Sequence, residues 1–150
     1  MTDYCPRLFE RDADIRRIGE GLIACTLPKV EWTHEAHLAA CLWMVRDRPD
    51  IAPERDLAMI IPRYNESVGG VNSDTEGYHE TITQIYVAAV RDHLSEIDPR
   101  SSLADAVNAL LVSERGRRDW PLRFYSRERL FSVAARRGFV AADIEPAPTR

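Results

Sequence analysis

Two histidines stand three residues apart in the stretch WTHEAHL, residues 32–38, and a third lies in EGYHETIT, residues 76–83. The chain has four histidines in all, so three of them fall at two places that read as helix starts. On a helix, positions three apart occupy neighbouring turns of one face, so the His34 and His37 rings can converge on one ligand. Cys41 continues that stripe but lies about 10.5 Å beyond His34 along the axis, so only His37 can share a ligand with it. His93 lies about 21 Å beyond His79 and drops out of the set. His79 and Glu80 point about 100° apart on a helix, so one can face inward while the other flanks it.

Three chemistries fit these residues. With His34, His37 and His79 as ligands and Glu80 beside them, the set offers three nitrogens and a carboxylate, which suits zinc, ferrous iron or manganese. The positive end of a helix dipole also disfavours imidazolium, keeping histidines at helix starts neutral near pH 7. Neutral imidazole serves a general base as well as a metal, so in a second version His37 and His79 are catalytic bases and Glu80 orients a ring or takes the proton. In the third, the histidines bond core carbonyls or carboxylates as a polar network. The chain is then a non-catalytic interaction or structural protein.

The elements that must position these side chains all read as helices, because apolar residues recur at spacings of three and four and no stretch alternates with period two. The first runs from about Asp12 to Thr26, ahead of Pro28. The second follows Thr33 as N-cap and extends to about Asp47, with Leu38, Cys41, Leu42 and Val45 inward. A third begins at Pro53 and carries Leu57, Ile60, Ile61 and Tyr64, with a kink or early break expected at Pro62. After a glycine-rich loop the fourth starts between Asp74 and Tyr78, and its face of His79, Ile82, Thr83, Tyr86, Ala89, Val90, His93 and Ile97 closes before Pro99. A fifth covers about Ser102 to Ser113, and Ser126 caps a last one to about Arg137. The expected architecture is an all-α compact bundle of five or six helices, one domain over residues 1–150, with 1–11 and 141–150 loose.

At 150 residues, 45% hydrophobic and 29% charged, the composition is that of one globular domain. The longest apolar run, LAACLWMV, is too short to span a bilayer and the first residues lack the apolar block of a signal peptide, so a cytoplasmic location is expected. Cys5, Cys25 and Cys41 form no metal-ribbon or disulfide pattern. A net charge of −4 argues against nucleic acid as a partner. The segment Glu114–Arg137 nevertheless holds eight arginines against three carboxylates. Anion recognition by these arginines competes with pairing to nearby acids, and Lys29 is the lone lysine, so arginine density partly reflects composition.

Three blocks, EWTHEAHL, RYNESVGGVNSDTEGYHETIT and RFYSRERLFSVAARRGFV, resemble those of a family of small all-α bacterial proteins of uncharacterised function, over roughly Glu31 to Val140. The resemblance implies no activity or cofactor. It groups Arg63, Tyr64, Asn65 and the glycine loop with the histidines. The expected site is therefore a small-molecule pocket between two helices, with Arg63, Tyr64, Asn65 and Tyr78 as ligand-binding residues and a divalent metal as the candidate cofactor. In the interaction-protein reading, apolar helix faces pair with a second subunit, as in a homodimer, or with another protein.

Overall fold

A computed structural model of the chain describes residues 5–148. Among them are seven α-helices and no strand: α1 (Asp12–Ala24), α2 (His34–Asp47), α3 (Pro53–Ser67), α4 (Glu80–Glu96), α5 (Leu103–Leu111), α6 (Arg127–Leu130) and α7 (Val133–Arg137). The all-α bundle is as expected; the helix number differs at the end of the chain. Ser126 does cap a helix, but Ser132 caps another six residues on, so one expected element is two short ones.

The sequence of α2 explains the layout. Its run of Ala36, Leu38, Ala39, Ala40, Cys41, Leu42, Trp43 and Met44 is apolar on every side, and a helix apolar all round must be surrounded. Accordingly α1, α3, α4 and α5 all pack on it. Gly19 lets α1 come closest: an added methyl there would fall inside the ring of Trp43. On α3, Pro62 does not break the helix, which runs on to Ser67. Ile60, Ile61 and Tyr64 are buried on both sides of Pro62, and the Tyr64 hydroxyl is anchored on the Leu27 carbonyl at 2.9 Å, so packing holds the turn that lacks a backbone donor.

Helix α4 separates two apolar clusters. Val87 and Val90 belong to the main core around α2, whereas Ile85 and Ala89 meet Trp120, Phe124, Tyr125 and Leu130 from the C-terminal part. That part is stitched by arginines. Arg115 pairs with Glu96, Arg117 with Asp119, Arg123 with Glu114 and Glu145, and Arg137 with Asp74. The described parts of the two expected loose ends carry specific bonds: Phe9 exchanges both backbone bonds with the Asn108 side chain, and Ser126 binds Asp143. Residues 1–4 and 149–150, also expected to be loose, lie outside the described residues.

Replacing Gly19 with alanine overpacks the α1–α2 contact against a rigid indole. It is expected to destabilise the fold by about 1–3 kcal/mol in urea titration, and an unchanged midpoint would contradict this close approach.

Candidate functional site

Thr33 begins the site. Its side chain accepts the Ala36 amide at 3.1 Å, which starts α2 and places His34 at the first and His37 at the fourth helical position. Trp32, just before the cap, then stacks on His37 with ring centroids 3.6 Å apart and 27° between planes, the pairing of a hydrophobic staple. Tyr64 stands edge-on to Trp32 at 5.5 Å.

Both histidines border a cavity of about 340 Å³ between the first four helices. Its walls are apolar, with Leu22 from α1, Leu38 and Ala40 from α2, and Leu57 and Ile61 from α3. Helix α4 contributes Ile82, Thr83, Tyr86 and Val87, while Trp32 and Cys41 complete the lining. No charged side chain is among these residues.

The state of each ring follows from its partner. His37 Nδ1 lies 2.7 Å from the Thr33 carbonyl, and a carbonyl only accepts, so Nδ1 carries the proton and the neutral ring keeps its lone pair on Nε2. His34 Nε2 lies 2.8 Å from the Gly116 carbonyl, which likewise leaves the lone pair on Nδ1. Neither remaining nitrogen has a hydrogen-bond partner among the described residues. His37 is solvent-accessible where it borders the cavity, yet protein atoms crowd its ring. Desolvation by them, with the bond to Thr33 opposing and His34 assisting, pushes its pKa down to about 4 from an ordinary 6.5. Burial also lowers His34, the bond to Gly116 opposing. In the same environment the Cys41 thiol is pushed up to about 12 by burial, so it stays protonated.

His79 does not join this group, and the expected three-histidine metal set is corrected accordingly. It is the N-cap of α4: Nδ1 accepts the Ile82 amide at 3.1 Å while Nε2 donates to the Leu130 carbonyl at 2.7 Å. Both nitrogens are used and the ring, buried on the C-terminal side, borders no part of the cavity. The physical reason is the extended backbone of a cap, φ −134° and ψ 110°, which takes the side chain off the helical stripe that Ile82, Thr83 and Tyr86 follow. Among the described residues no group of three or more histidine, cysteine, aspartate or glutamate side chains is placed to hold a metal ion.

The other expected residues are engaged elsewhere. Glu80 accepts the Tyr78 hydroxyl and the Gln84 amide, so it neither orients an imidazole nor faces the cavity. Arg63 donates to the Ile23 carbonyl, and Asn65 bonds Asn72 within the glycine loop. Tyr64 acts on the site only by backing Trp32. Missing from the sequence reading were Trp32 as a partner of His37 and the Gly116 carbonyl as a partner of His34. The staple position of Trp32 was the available signal for the first; nothing in the sequence signals the second. Comparison with protein-family models, with curated proteins and with solved structures finds no significant match to this chain.

These roles separate in two measurements. His79→Ala removes a cap and orphans a buried carbonyl, so a loss of about 2–4 kcal/mol is expected, against about 1 kcal/mol or less for His37→Ala; equal losses would reject the distinction. Ring NMR should place the His37 midpoint near pH 4. A native pKa below the unfolded value of 6.5 means that the unfolded chain binds the proton first, so this histidine's contribution is complete above about pH 6.5 and lost on the way down to 4. His34 and His79, also lowered by burial, act in the same direction. A His37 midpoint near 6.5 would refute the desolvation.

Proposed function

We propose that the protein binds a small, largely apolar organic molecule in the cavity between α1, α2, α3 and α4, with His37 as its polar anchor. One observation carries this reading: an imidazole whose tautomer is set by the Thr33 carbonyl, and whose other nitrogen has no partner, lines together with His34 a largely apolar cavity of about 340 Å³. The volume lies in the range of small-molecule sites, and a few polar groups on an apolar lining is their usual composition. If the bound molecule is transformed, the step available to His37 is acceptance of a proton at Nε2, for which a neutral ring near pH 7 is required.

The reading of histidines as structural ties is favoured for three of the four. His34, His79 and His93 each bond a carbonyl of a different element, at Gly116, Leu130 and Ala106. His37 bonds only the cap of its own helix. No helix among the described residues is long and apolar enough to cross a membrane. The three free thiols support the further proposal of a reducing, cytoplasmic setting.

Toluene tests the cavity without assuming any polar contact. Amide shifts on its addition should cluster at Leu38, Ile61, Thr83 and Val87, and Ala40→Leu, which fills the space, should weaken binding at least tenfold. Shifts scattered over the surface, or binding unchanged in Ala40→Leu, would overturn the proposal.

A further inference from the structure

The unspent polar atoms around the cavity are weighted towards acceptors. His37 has given its ring proton to Thr33 and His34 has given its own to Gly116, so each ring can offer the cavity only a lone pair. The neighbouring hydroxyls have also spent their protons inside the protein. Thr83 Oγ1 donates to the His79 carbonyl at 2.8 Å and the Tyr86 hydroxyl donates to the Arg117 carbonyl. The donors left on the lining are the Trp32 indole N–H, on the ring stacked against His37, and the Cys41 thiol, a weak donor.

Charge narrows the class further. The lining has no carboxylate to neutralise a cation and no arginine or lysine to neutralise an anion, and an unpaired charge in an apolar site is costly to desolvate. Glu54 and Arg91, the charged groups that act on Cys41, serve each other: Arg91 holds Glu54 through two nitrogens. Aromatic faces at Trp32 and Tyr86 favour a flat apolar body.

We propose that the cavity selects uncharged molecules that present an O–H or N–H donor to His37 Nε2 on a flat apolar body, with phenols as the simplest members, and rejects analogues whose donor has been replaced by an acceptor. This rests on the cavity being a ligand site at all. A carbonyl or ether placed against His37 meets lone pair with lone pair and leaves both desolvated, whereas a hydroxyl meets an acceptor prepared for it.

Phenol, anisole, toluene and benzoate distinguish the outcomes, titrated into the native protein at pH 7 with amide shifts and the His37 ring ¹⁵N signals observed. The expected result is phenol binding about fivefold or more tighter than anisole, the factor worth one net hydrogen bond of about 1 kcal/mol, with a shift confined to Nε2. In His37→Phe the phenol preference should disappear while toluene still binds. The wild-type ring signal gives the same information should that variant fail to fold. If toluene binds but phenol gains nothing over anisole, or benzoate binds more tightly than phenol, the donor rule is overturned and the cavity reading stands. If none of the four probes binds, the cavity reading fails and this inference falls with it.

Discussion

A carbonyl oxygen accepts hydrogen bonds and never donates them, and that asymmetry sets the proton position on every imidazole in the chain. All four rings meet one, at Gly116, Thr33, Leu130 and Ala106. Three of these carbonyls lie on a different element, so the rings of His34, His79 and His93 are ties: α2 to the turn after α5, α4 to α6, and α4 to α5. Breaking such a tie leaves a buried carbonyl without a donor, a cost comparable to the bond itself. The Thr33 carbonyl, by contrast, belongs to the cap of the helix that carries His37. The bond there fixes a tautomer and joins no second element, so Nε2 of that ring can be engaged without disturbing a tie between elements.

The two histidine motifs diverge because one residue sits inside its helix and the other at the threshold. Thr33 supplies the cap of α2 with a hydroxyl, so the histidines that follow it obey helical geometry and share a face. At α4 the cap is the histidine, and it does what a hydroxyl cannot: one nitrogen accepts the amide of Ile82 while the other reaches across to Leu130. A cap so used ties α4 to the C-terminal cluster. It also turns His79 away from the cavity that the next residues of the same helix line.

Much of the bundle was legible because helix boundaries here are written in local chemistry. Thr33, Ser102 and Ser126 cap where their hydroxyls fall, and Pro53 opens α3. Leu38, Cys41 and Leu42 mark only one side of α2 as inward, although its alanines bury equally well; small residues leave periodicity ambiguous because they are apolar without being large. Of the site, the face shared by His34 and His37 was legible from spacing alone. Its partners were not, since the Gly116 carbonyl is a backbone atom 82 residues away and backbone atoms carry no sequence signature. The opposite failure concerns Arg63, Tyr64, Asn65 and Tyr78, chemically capable residues whose polar atoms the fold spends on Ile23, Leu27, Asn72 and Glu80. Residue type shows what a side chain can do, while its remaining valence depends on the tertiary neighbours.

That distinction also separates the cavity from the rest of the interior. Folded chains leave few buried polar groups unmatched, and among the described residues only Trp120 Nε1 is a fully enclosed side-chain atom without a partner. Against such thorough pairing, two unpaired imidazole nitrogens on one helix face are conspicuous, and both border the same space. An unmatched group sealed in the core is a cost the fold must carry, but the same group facing an accessible space can be satisfied by water or by a ligand. The apolar walls favour the ligand, because water entering there finds acceptors at the histidine edge and little to bond elsewhere. An organic molecule with a donor satisfies both surfaces at once, covering the leucines and isoleucines with its body while giving one of the two open imidazole nitrogens its hydrogen bond.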